Sequence, residues 1–206
     1  MDRYHHGDLR AALVEAGMEM ARHKGAAALG MRELTRAVGV TPNAAYRHFA
    51  NLRSLVLTVA QEAQHRLSRA ILDRSATIAI DTDPAERAVA LLRAFALGYI
   101  TFALSQPGWF ALTCESHEAP PDAVATAAAE LPPSPHQLLL AALDGMVAAG
   151  VMAPERRLDA EWTCWSMTHG FAMLATSGPL QGGADRDTVV RLAEQAVATL
   201  IRGLRD

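Results

Sequence analysis

Apolar residues recur at three- and four-residue spacing along most of this chain, and no stretch alternates apolar with polar as a half-buried strand would. Leu9, Leu13, Ala16, Gly17 and Met20 line one face of a first helix that Asp8 can cap and that runs to about His23. Lys24-Gly25 closes it with a cation and a glycine suited to the position after a helix end. A second helix, over about 31–38, turns Leu34 and Val38 inward, and Gly39-Val40 breaks it. A third starts at Pro42, where a first-turn proline loses nothing by lacking an N–H, and runs to about Phe49. After a break at Ala50-Asn51, a long helix is expected over about 52–78, with Leu55, Val56, Val59, Ala63 and Leu67 inside.

Asp81-Thr82-Asp83-Pro84 stops that helix and starts another, over about 84–105, which Pro107-Gly108 is expected to end. A short aromatic segment follows at about 109–114. Pro120, Pro121, Pro132, Pro133 and Pro135 then predict a loop, either plain or enclosing a short Ala-rich helical piece near 124–130. Three more helices are expected over about 135–150, 159–177 and 185–204, separated by Gly150, Pro154 and Gly178-Pro179. The whole pattern predicts an all-α fold of about nine helices. A three-helix N-terminal domain, 1–53, would be joined by the long helix to a larger helical domain, 54–206.

Half of the 206 residues are apolar, enough for a sizeable core. No early apolar run resembles a signal peptide, and none is expected to be long enough to cross a membrane. Cys114 and Cys164 make neither a disulfide framework nor a four-ligand zinc pattern. These features predict a cytoplasmic chain with no metal, no cofactor and no membrane partner.

Charge changes the picture more. The net charge is −3, but residues 1–53 hold eight Lys and Arg against five acids, while the remainder holds eleven against seventeen. A basic end on an acidic body is what a protein that meets a polyanion only through its first part would show; chance asymmetry is the plain alternative.

The tight glycine break between the second and third helices makes the first 50 residues read as a helix-turn-helix. Leu34, Val38, Val40, Ala45 and Phe49 would fix the angle between the helices. Thr41, Pro42, Asn43 and Ala44 are small enough for a close approach to base edges in a major groove, and Asn43 is the best candidate for reading a base. Tyr46 and His48 suit phosphate contacts, and Arg47 can reach phosphate or a guanine edge. Arg32 and Arg53, at the starts of the second and fourth helices, would flank the groove, where helix N-termini add partial positive charge. The competing reading is an ordinary helical hairpin with a solvated polar face and Tyr46 half-buried in the core.

These residues resemble the DNA-binding domain of the TetR/AcrR family of transcriptional regulators. The likeness rests on LGMRELTRAVGV (29–40) and TPNAAYRHFANLRSLV (41–56), above all on the spacing of Tyr46, His48, Phe49 and Asn51. YHHGDLRAAL (4–13) is similar to a subset of that family, and its two histidines read as a mobile arm that meets the DNA backbone. TCWSMTHGFAML (163–174) is similar to the W-x-x-x-H-G signature of one group of TetR C-terminal domains, with Trp165, His169 and Gly170 in the pattern. The chain departs from the family where Gly30-Met31 lacks the usual Ser or Thr, and where Leu52 stands in place of a frequent Lys, with Arg53 next to it.

The resemblance implies a C-terminal domain that dimerises and encloses a small-molecule pocket. For the dimer, the 159–177 helix offers Ser166, Gly170 and Leu174, and the last helix carries an apolar stripe including Val189, Ala193, Val197 and Leu200. Two such helices from each copy would form a four-helix interface; packing within one subunit is the alternative. For the pocket, Phe95, Tyr99, Phe102, Trp109, Phe110, Trp162, Trp165 and His169 are the candidate lining, although an aromatic stripe can equally be plain core. His169 could orient a ligand or bond a neighbouring backbone carbonyl.

Catalysis has little to stand on. Cys114-x-x-His117 lacks an orienting residue and an oxyanion loop, and no phosphate loop or H-E-x-x-H occurs. The expected function is a homodimeric regulator, a repressor, that binds a palindromic double-stranded DNA operator and is released by a small apolar effector. The alternative is a helical protein-interaction module, whose binding would not weaken steeply with salt as phosphate contacts do.

Overall fold

A computed structural model describes residues 9–115 and 131–205. Among them are nine α-helices and no strand: α1 Leu9–Lys24, α2 Met31–Val38, α3 Pro42–Ala45, α4 Leu52–Ala76, α5 Pro84–Ser105, α6 Pro107–Glu115, α7 Pro135–Ala148, α8 Ala160–Thr176 and α9 Arg186–Arg205. The Asp8 cap, the Tyr4–Gly7 arm, the expected helical piece at 124–130 and His117 lie outside the described residues.

Two compact units divide the chain. One takes the residues up to Gln64 together with 106–131, and the other takes 65–105 and 132–206. In the first, Leu13, Met18, Leu34, Ala45, Phe49, Leu55, Val59 and Leu112 form the buried core. Helix α6 joins this unit because it packs on α1. The Trp109 indole N–H donates to the Met18 carbonyl at 2.7 Å, and the Arg22 guanidinium lies 5.5 Å over the indole ring. The Pro107-Gly108 pair, expected only to end a helix, therefore starts a new one: Pro107 takes the first turn and Gly108 lies against the Ala21 carbonyl.

Helix α3 is shorter than its sequence suggests. After Ala45 the chain tightens, with the Arg47 and His48 N–H groups donating to the carbonyls three residues back, Ala44 and Ala45, at 3.3 and 2.9 Å. The Thr41 hydroxyl oxygen caps this helix by accepting from the Ala44 N–H at 3.4 Å. At Gly39 φ is +77°, a left-handed value that lets the chain reverse between α2 and α3, with the Gly39 N–H donating back into the end of α2. Asn51 caps α4: its side-chain oxygen accepts the Ser54 N–H at 2.8 Å, and Ser54 Oγ accepts the Asn51 N–H at 3.3 Å.

In the second unit α5 is the central helix, with α7, α8 and α9 packed on it. Leu92, Phe95, Tyr99, Ile100 and Ala103 are all buried. Helix α5 is 22 residues long with a mean hydropathy of 1.7 over its most apolar stretch, so it is long and apolar enough to cross a membrane. The expectation that no run reaches that length is corrected on this point. The composition has another cause, since 61% of that stretch is buried inside the molecule. Helix α9 turns Val189, Ala193 and Val197 inward.

Candidate functional site

The polar surface predicted at the N-terminus is presented by two short helices and a turn. Ala45 and Phe49 are buried, which forces the residues between and before them outward. Thr41, Pro42, Asn43, Tyr46, Arg47 and His48 are exposed and Ala44 is half-buried; Tyr46 keeps half of its surface in solvent. Arg32 and Arg53 are exposed as well. Arg36, which the sequence reading left out, is exposed in the last turn of α2 and adds a fourth guanidinium. Against Arg32, Arg36, Arg47 and Arg53 this segment sets one acid, Glu33.

The missing Ser or Thr at Gly30-Met31 leaves α2 without a side-chain cap. Gly30 holds the cap position of α2 without a side-chain hydrogen bond, and the Glu33 carboxylate folds back to the place a Cβ at Gly30 would need. Asn51, prominent in the sequence, has a structural role as the cap of α4. Under the turn, Arg10 lies 5.2 Å over the Phe49 ring. What the arrangement offers chemically is an exposed, cation-bearing surface with small residues at the start of α3, which suits a groove lined by phosphates.

The aromatic candidates divide. Trp109 and Phe110 lie on α6 of the first unit, Trp109 against its core. Phe102 is buried on α5. The rest converge in the second unit. The Tyr99 hydroxyl and His169 Nδ1 share a hydrogen bond of 2.8 Å. The Trp165 ring stacks on His169, with centroids 6.3 Å apart and an angle of 11°, and meets Tyr99 edge-on at 5.7 Å. Phe95 lies 6.2 Å from Tyr99. Trp165 and His169 are four residues apart, one helical turn, which is why the W-x-x-x-H spacing stacks them.

His136, in the first turn of α7, was not legible as a member. Its ring sits 5.8 Å from Trp165 and 6.3 Å from Trp162, and only the packing of α7 on α8 brings it there. Trp162 itself is 61% exposed. Beside the cluster, Arg157 bonds Asp144 at 2.7 Å and Glu161 at 2.8 Å, which ties α7 to the start of α8. The hydrogen bond to Asp144 is the main reason the Arg157 guanidinium is held above its ordinary value. On the inner face of α8, the Thr168 hydroxyl is buried and has no hydrogen-bond partner among the described residues.

Cys164 shares that inner face, and burial pushes its thiol up to about 11, whereas Cys114 is exposed. In the native protein at pH 8, one thiol per chain should react rapidly with Ellman's reagent and the second only after unfolding. Two rapid thiols would contradict the burial of Cys164.

The dimer candidates also divide. Val189, Ala193 and Val197 are at most 4% exposed in the single chain, so they belong to its own core. Leu200 is half-buried. On α8, Ser166 is exposed, Leu174 is 46% exposed and Gly170 is half-buried, and a Cβ at Gly170 would meet nothing within 4 Å. Among the described residues no group of three His, Cys, Asp or Glu could hold a metal ion.

Comparison with known proteins fits these observations. Residues 13–59 match the bacterial regulatory proteins of the tetR family, and residues 92–200 match the tetracyclin repressor-like C-terminal domain. This match is to the C-terminal domain of the family at large and not to a W-x-x-x-H-G subtype. No curated protein sequence matches the chain. Among solved structures, a protein of unknown function from Rhodococcus sp. RHA1 is similar over the full length of both chains, at 27% identity and a TM-score of 0.73. A regulatory protein in the tetR family from Rhodococcus RHA1 is 19% identical, covering 96% of this chain and 97% of its own, at a TM-score of 0.61. A TetR variant from Acinetobacter baumannii AYE, in complex with minocycline, is 16% identical over 94% of each chain, at 0.55.

Proposed function

Because the chain belongs to the TetR family of bacterial regulatory proteins, and is thus a DNA-binding regulator and no enzyme, we propose that it is a homodimeric, ligand-released transcriptional repressor acting in the cytoplasm. The observation that carries this reading is the outward set Thr41–Asn43 and Tyr46–His48, held by the buried Ala45 and Phe49. Residues 1–53 act as the DNA-reading domain and 54–206 as the effector and dimer domain. Each copy puts its 42–48 segment into one of two successive major grooves of a palindromic operator.

The α8 surface of Trp162, Ser166, Gly170 and Leu174, with Leu200 of α9, meets the same surface of a second copy. Gly170 supports this: a mid-helix glycine costs about 1 kcal/mol against alanine, and the chain's own packing gives no reason for it. The cluster of Phe95, Tyr99, Trp165, His169 and His136, a version of the W-x-x-x-H-G arrangement, takes a small and mostly apolar effector. Coupling runs along α4, whose residues up to Gln64 belong to one unit and whose later residues belong to the other. Release requires an effector that binds the DNA-free dimer state more tightly than the bound one.

Selection from random duplex DNA by the purified protein, at two salt concentrations, tests the reading. A palindrome whose binding falls steeply with salt supports it, and salt-independent binding or no enrichment at low salt speaks against it. On the selected operator, Arg47→Ala should weaken binding about tenfold on every sequence and lower the salt slope by about one. Asn43→Ala should relax preference at one base pair per half-site, by about 1–3 kcal/mol. If neither change alters binding, the reading surface lies elsewhere.

A further inference from the structure

Away from the aromatic cluster, the second unit has an open cleft of about 540 Å³ between the N-terminal half of α5, the turn after α7 and the C-terminal end of α9. Val89 from α5, Val151 from the turn and Ile201 from α9 are among its lining. Three guanidiniums edge it: Arg93, Arg202 and Arg205.

Among the described residues none of the three makes a side-chain hydrogen bond or ion pair; the same holds for Arg69, Arg74, Arg186 and Arg191 of this unit, but Arg93, Arg202 and Arg205 line one cleft together. Arg157 bonds two carboxylates, Arg156 donates to the Gly203 carbonyl at 3.1 Å, and Arg87 donates to the Ala79 carbonyl at 2.9 Å. Acids are not scarce either, since seventeen of them follow residue 53 against eleven bases. Cations in the last turn of α9 complement the helix dipole, which accounts in part for Arg202 and Arg205. It does not account for Arg93, which lies in the middle of α5. One acid, Glu86, lines a smaller lobe of about 310 Å³ next to Ala90, so the most positive part of the cleft is at the Arg202 end. Guanidiniums beside these apolar side chains suit an anionic head for the forked donors and a short hydrocarbon body against Val89 and Val151.

We infer that the α5–α9 cleft is a second small-molecule site, for an amphipathic anion with a carboxylate or phosphate head held by Arg93, Arg202 and Arg205. The site does not depend on the aromatic cluster or on DNA binding. The size of the cleft is that of a small-ligand site.

Calorimetric titration of the full chain with octyl phosphate, octanoate and inorganic phosphate tests this. At least one octyl compound should bind once per protomer, with inorganic phosphate about tenfold weaker or more. The tighter of the two octyl compounds identifies the head group. Arg93→Gln and Arg202→Gln, at surface positions where the fold should survive with an unchanged melting temperature, should each lower its affinity about tenfold. The inference is overturned if both variants bind like the parent, if inorganic phosphate binds as well as the octyl compounds, or if nothing binds at millimolar concentration.

Discussion

Phe49→Ala should destabilise the N-terminal unit by about 3–5 kcal/mol and take operator binding with it. The side chain is 3% exposed and belongs to one cluster with Leu13, Leu34, Ala45 and Leu55. Its N–H donates to the Ala45 carbonyl at 3.0 Å, and its ring carries the Arg10 guanidinium at 5.2 Å. The ring is thus the anchor of the turn that displays Tyr46, Arg47 and His48. Truncation removes the buried ring and leaves a cavity beneath that turn, against a total stability of only about 5–15 kcal/mol for a typical protein. Urea unfolding followed by tryptophan fluorescence measures it, in a background of Trp162→Phe and Trp165→Phe so that Trp109 alone reports on this unit. A midpoint that does not move would mean that Phe49 is not part of the core.

The second large effect is expected at Gly108. A Cβ there would run into the Ala21 carbonyl oxygen and come within 3.1 Å of the Arg22 oxygen. Both obstacles are backbone, so no side chain can swing aside to make room. Gly108→Ala must therefore lift α6 from α1, which also breaks the Trp109–Met18 hydrogen bond and unseats Arg22 from the indole. Overpacking and the lost hydrogen bond together amount to about 2–4 kcal/mol. Trp109→Phe, which removes only the N–H and part of the ring, should cost less. Thermal unfolding of the two variants side by side decides it: a Gly108→Ala protein that melts with the parent would refute the close approach of α6 to α1.

The helices of this chain were largely legible in its sequence because their signals are local. Helix α2 runs over Met31–Val38 and α5 over Pro84–Ser105, as apolar spacing, proline starts and glycine breaks predict. The family likeness was legible for the same reason, since Tyr46, His48, Phe49 and Asn51 lie within six residues. Even so, the role of Asn51 as a helix cap is visible only in its hydrogen bonds to Ser54. Local signals misled where one residue type serves two purposes. Pro107-Gly108 looks like a stop, yet proline suits a first turn as well as an ending, and the glycine is there for contact with α1. The apolar length of α5 fits a membrane span as well as a buried central helix, and only its neighbours distinguish the two.

The sequence by itself determined the helical periods, the breaks between them and the exposed cationic segment near residue 47, because each depends on residues a turn or less apart. Tertiary structure decided which helices share a core. It assigned Trp109 to α1, brought His136 to Trp165, gave Val189, Ala193 and Val197 to the chain's own interior, and gathered Arg93, Arg202 and Arg205 around one cleft. An apolar stripe states that a face must be buried and carries no record of what buries it. That choice is made by the shape and hydrogen-bonding needs of surfaces far apart in the chain, such as an indole N–H that finds a carbonyl 91 residues away.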